Sequence, residues 1–100
     1  MHHLTRAMIA AILNTLPSPF DAHAVEQRVL RLHPVEFAED LLRFRTSADP
    51  LRQFSAAFAQ WVDRTFSGQI RQTNRVRSAH LAGGVSDNQE WEKVGPGPIT

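Results

Sequence analysis

The sequence predicts a mainly α-helical domain, four helices in all, closed by a small C-terminal β-hairpin. Three observations lead there. Apolar residues recur at spacings of three and four from Leu4 to Phe66, the period of a helix face. Prolines and polar corners cut that stretch into four segments. After Gly68 the helical stripe stops, and short polar runs holding Thr73, Val76 and Trp91 flank a Gly83-Gly84 turn. At 100 residues the chain is one domain's worth. The expected globular part is 1–94, with helices at about 4–16, 22–32, 34–45 and 50–66 and a hairpin at about 70–94; 95–100 is expected to be a flexible tail.

Leu4, Met8 and Ile12 recur every fourth residue in the first helix, and Ile9, Leu13 and Leu16 widen the stripe. Pro17-Ser18-Pro19 stops it, because proline lacks the amide and clashes with the preceding turn. Phe20-Asp21 opens the second helix, with Asp21 as N-cap and Val25, Val29 and Leu32 on the inner face. His33-Pro34 makes a tight corner, and Pro34 suits the first position of a third helix that lines up Phe37, Leu41 and Phe44. Asp49-Pro50 repeats the start signal for the fourth helix. That helix carries Leu51, Phe54, Phe58 and Trp61, and Gly68 suits a left-handed stop after it. Trp91 is the residue expected to pin the hairpin to the helices.

Composition narrows the function classes. Hydrophobic residues make up 42% and charged residues 21%, the usage of a globular chain and not of a disordered one. The absence of cysteine rules out disulfides, thiolate metal sites and cysteine nucleophiles. No run approaches the roughly 18 apolar residues of a membrane span, so no membrane partner is expected. The N-terminus reads as a folded helix and not a secretion signal, which makes a cytoplasmic address the expectation. A formal net charge of +1 implies no partner by itself.

No phosphate loop, Gly-x-Ser-x-Gly elbow or His-Glu-x-x-His pair is present, and no cofactor is expected. His23 precedes Gln27 by four residues and His33 precedes Glu36 by three, but no third ligand stands near either pair, so no metal is expected. Glu36, Glu39 and Asp40 could be paired catalytic carboxylates, yet acidic residues early in a helix also complement its dipole. The expectation is therefore a chain without catalysis. A deep pocket gathering His23, His33 or His80 with an acidic group would reverse it.

The charge pattern of the second half points elsewhere. Arg64, Arg71, Arg75 and Arg77 follow one another with no acidic residue between Asp63 and Asp87. Their neighbours Gln69, Gln72, Thr73, Asn74, Ser78 and His80 are hydrogen-bonding residues. Arg52, Gln53, Gln60 and Arg64 fall on the side of the fourth helix away from its aromatic stripe. Arginine's planar fork suits bidentate contacts to phosphate and guanine.

Helices followed by a basic hairpin resemble the winged-helix version of the helix-turn-helix family. The resemblance rests on His33-Pro34 at one corner, Thr46 to Pro50 at the next, and Ile70 to Val94 as the wing. It implies DNA as the partner. The fourth helix would read it through Arg52, Gln53, Gln60 and Arg64, with Arg71, Arg75 and Arg77 as wing contacts. The alternative is a protein-interaction module, a homodimer formed through the aromatic helix 50–66.

Overall fold

Thr5 starts the first helix. In the computed structural model, which describes residues 1–100, its hydroxyl accepts from the Met8 amide at 3.3 Å and α1 runs Arg6–Leu13. β1 is the two-residue strand Phe20–Asp21, followed by α2 (Ala22–Leu32) and α3 (Pro34–Leu41). A 3₁₀ turn, Leu42–Phe44, follows α3, and α4 spans Pro50–Thr65. The chain closes with β2 (Ile70–Ala79) and β3 (Val85–Lys93).

The fold class differs from the expected mainly α domain with a two-strand hairpin. This is an α+β fold whose four helices pack with a three-stranded antiparallel sheet of order β1-β3-β2. The missed element is β1. Phe20 and Asp21 pair with Trp91 and Glu90, so Phe20 lies in the sheet and does not open α2. Two residues are too few to show period-2 alternation, and the partner strand lies some seventy positions away. Asp21 is nonetheless the N-cap of α2, accepting from the Ala24 amide at 2.8 Å.

Two helices are shorter than expected. α1 ends at Leu13 because Asn14 turns to the far end of the chain: its amide donates to the Ile99 carbonyl and its side-chain oxygen accepts from the Ile99 N–H. The third helical segment tightens into 3₁₀ geometry after Leu41. Of residues 95–100, expected to trail freely, 95–98 are exposed but the last two are tied down. Ile99 is buried, the Thr100 amide donates to Gln69, and Arg6 donates to the Thr100 carbonyl.

One apolar cluster takes side chains from every helix and every strand, among them Ile12, Phe20, Val25, Phe37, Phe58, Ile70 and Trp91. The α4 aromatics belong to it. Phe54, Phe58 and Phe66 are fully buried, and Phe54 meets Phe37 edge-on at 4.8 Å. Trp91 fixes the sheet to the helices, as expected. Its ring packs 5.9 Å from Phe20 and its indole N–H donates to Asp63 of α4 at 3.0 Å. No helix is long and apolar enough to cross a membrane.

Candidate nucleic-acid interface

α4 buries one stripe and presents another. The buried stripe is Phe54, Phe58 and Val62. Arg52, Ser55, Ala56, Ala59, Gln60 and Asp63 recur at spacings of three and four on an adjacent face, which forms one wall of a groove of about 1090 Å³. The hairpin forms the other wall with Gln72, Arg75, Arg77 and Gln89, and α2 supplies His23 and Glu26.

A β-bulge decides which hairpin arginines reach this groove. Gln72 pairs with Trp91 and Arg75 with Gln89, so Thr73 and Asn74 stand opposite Glu90 alone. The Thr73 hydroxyl donates to the Glu90 carboxylate at 2.7 Å. Side chains alternate faces along a strand, and directly paired residues share one. Before the bulge, Arg71 shares a face with Glu92 and is ion-paired to it, its Nε donating to that carboxylate at 2.6 Å. The extra residue inverts the alternation of β2. Arg75 and Arg77 therefore share a face with Gln89 and Trp91, toward α4.

The structure thus brings Arg52, Gln60, Arg64, Arg75 and Arg77 together in one groove. It leaves out two expected contacts. Arg71 lies on the other face of the sheet, held by Glu92, and Gln53 is exposed on α4 away from the groove lining. Arg77 is partly engaged, 3.5 Å from Asp87 with both side chains exposed, a pair of small worth in water. Arg52, Arg64 and Arg75 make no ion pair. Four guanidiniums face four carboxylates in the lining, but the acids have other duties. Asp49 caps α4 through the Arg52 amide, Asp63 accepts from Trp91, Asp87 sits by Arg77, and Glu26 accepts from Ser55.

The floor holds residues the sequence reading did not assign to a site. Glu26 is 1% exposed and accepts a 2.5 Å hydrogen bond from the Ser55 hydroxyl. Burial pushes its carboxyl up from 4.5 to about 7; the Ser55 bond works against this and the nearby Asp21 charge adds to it. His23, 5% exposed, contacts the Ser78 carbonyl and hydroxyl through Nδ1, and its backbone N–H donates to Asn88. His80 stands edge-on to His23 at 6.0 Å, its Nδ1 accepting from the Ala82 amide. One trace of this is visible in sequence: His23 and Glu26, three apart, lie together at one edge of the α2 face that carries buried Val25 and Val29.

Comparison of the chain with protein-family models, with curated proteins and with solved structures found no match.

Proposed function

We propose that the chain is a non-catalytic nucleic-acid-binding domain of the cytoplasm that holds its polyanion, DNA in the first instance, in the groove between α4 and the hairpin. One observation carries the reading. Arg52 and Arg64 from one element and Arg75 from another, more than ten positions on, face the same groove without a carboxylate partner. Gln60, Gln72 and Gln89 between them supply neutral donors and acceptors for sugars and bases. The competing dimer through helix 50–66 has less apolar surface to draw on, since Phe54, Phe58 and Phe66 lie inside the monomer's own core and only Trp61 of that aromatic stripe is partly exposed.

The test is titration of fluorescent DNA at several salt concentrations. With Arg52, Arg64 and Arg75 as the neutralising groups, the log–log slope should be about −2.7 on duplex and about −2 on a single strand. Replacing all three by alanine should remove the salt-dependent binding. A triple variant that binds as tightly as the parent overturns the assignment.

A second reading has an observation behind it. The groove gathers His23 and His80 with the acidic Glu26, the combination that reopens acid–base catalysis. The binding reading is preferred because Ser55 and Ser78 already tie Glu26 and His23 into the scaffold. Recovery of the DNA and of an RNA strand of the same sequence intact after prolonged incubation supports binding alone; cleavage lost in a His80→Ala variant establishes the enzyme.

A further inference from the structure

Six large apolar side chains stand exposed on this molecule, and four of them, Leu30, Leu32, Val35 and Leu42, fall within residues 30–42. Leu32 is expected on the inner face of α2 with Val25 and Val29, yet it is 52% exposed, the last residue of the helix and a turn beyond buried Val29. Val35 and Leu42 are 67% and 53% exposed. The buried side of α3 explains their position. Phe37 and Asp40 face inward, with Leu41 and Phe44 packed against the core beside them. Leu42 keeps helical dihedrals, φ −59° and ψ −21°, so it continues the turn of α3. Positions 35, 38 and 42, spaced by three and four, fall on the opposite side, and Val35, Ala38 and Leu42 make one outward stripe. Single exposed aliphatic residues are ordinary on a monomer; an aligned stripe on one helix is the pattern of a contact surface.

The charges beside the stripe decide what can cover it. Glu39 and Arg43, one turn apart, are both exposed on one flank, and neither makes an ion pair within the chain. When two helices pack antiparallel, each flank faces the same flank of its neighbour in reversed order. A second copy of α3, turned end for end, therefore brings its Arg43 toward Glu39 and its Glu39 toward Arg43. The four charges alternate in sign. Val35 of each copy then lies against Leu42 of the other, across the small Ala38. A parallel copy would set like charges side by side, and a wholly acidic or wholly basic partner would match only one of the two groups. The two-fold arrangement alone satisfies both.

We propose that the outer face of α3 is the contact surface of a symmetric dimer, in which two antiparallel copies of the helix meet along Val35, Ala38 and Leu42 and Glu39 of each copy pairs with Arg43 of the other. No residue of α3 lines the arginine groove, so dimerisation and nucleic-acid binding are separable.

The test is sedimentation equilibrium of the full chain from about 1 µM to about 1 mM, a span that brackets a weak to moderate dimer. The average mass should rise from one chain toward two. Ala38→Arg is close to neutral in helix propensity and puts a charge at the centre of the stripe. It should raise the dissociation constant at least tenfold while the far-ultraviolet circular dichroism stays native. Glu39→Arg alone makes the flank wholly cationic, and Arg43→Glu alone makes it wholly anionic. Each should weaken self-association several-fold at low salt, and the two variants mixed should associate at least as tightly as the parent. A parent that keeps the mass of one chain across the whole range overturns the dimer. A dimer that Ala38→Arg leaves intact, or charge variants that associate no better mixed than apart, overturns its placement on α3.

Discussion

Replacing Glu26 by glutamine should stabilise this protein, and do so only above acidic pH. The wild-type carboxyl rises from 4.5 to about 7 on folding, mainly because its charged form is denied water. A group whose folded value is raised holds its full stabilising share below its unfolded value. That share is lost as pH climbs through the folded one. The window is therefore about pH 4.5 to 7. At about 1.4 kcal/mol per unit, the rise amounts to about 3 kcal/mol by pH 8. Glutamine avoids the charge and keeps an acceptor for the Ser55 hydroxyl, at a cost of about 1 kcal/mol for burying its amide. The expected net gain is about 2 kcal/mol at pH 8, and at pH 4.5 the sign reverses, the variant being the less stable by about 0.5–1 kcal/mol. Urea unfolding followed by Trp61 and Trp91 fluorescence reads this as a midpoint shift of about 1–2 M at pH 8. Coincident midpoints at pH 8, or a gap that does not close toward pH 4.5, would refute the reasoning. A carboxyl that weakens its own fold at neutral pH is one expected at a working site.

Asp40 should behave in the opposite sense. Burial pushes its carboxyl up, but donation from the Leu4, His2 and His3 amides and the N-terminal charge outweigh this and hold it below 3.8. Its stabilising share is present above that value and lost as pH falls through the lowered one. Asp40→Ala should cost about 2–4 kcal/mol by thermal melting and release residues 1–4 to fast amide exchange. Deleting Asn74 removes the bulge but leaves Arg75 opposite Gln89, two places after Gln72 in a regular ladder, so Arg75 and Arg77 should keep the groove face; salt-dependent DNA binding should stay within about twofold of the parent with native far-ultraviolet circular dichroism. Arg71→Ala should leave DNA affinity within about twofold and Arg75→Ala should weaken it several-fold, because only the second faces the groove.

Helix starts were legible because their chemistry is local. Asp21 and Asp49 accept from amides three residues on, and Pro34 and Pro50 stand where a missing N–H costs nothing. The α4 core stripe was legible for the same reason, since period fixes which residues share a face. The site was half legible. Five of the seven expected contacts, Arg52, Gln60, Arg64, Arg75 and Arg77, do meet, but Arg71 could not be told from Arg75 without knowing that a bulge lies between them. Beyond its place beside Val25 and Val29 on α2, nothing in the sequence marks Glu26 for enclosure; the packing of α4 and the hairpin over it removes its water.

Composition, helix boundaries and the apolar stripes follow from forces acting over a few residues, and the order of amino acids specifies them directly. The third strand, the docking of Ile99, the face each arginine takes and the proton affinity of Glu26 follow from contacts between segments far apart in the chain. Such contacts form only when the whole core closes, because no local interaction is strong enough to hold a two-residue strand or a buried carboxyl in place.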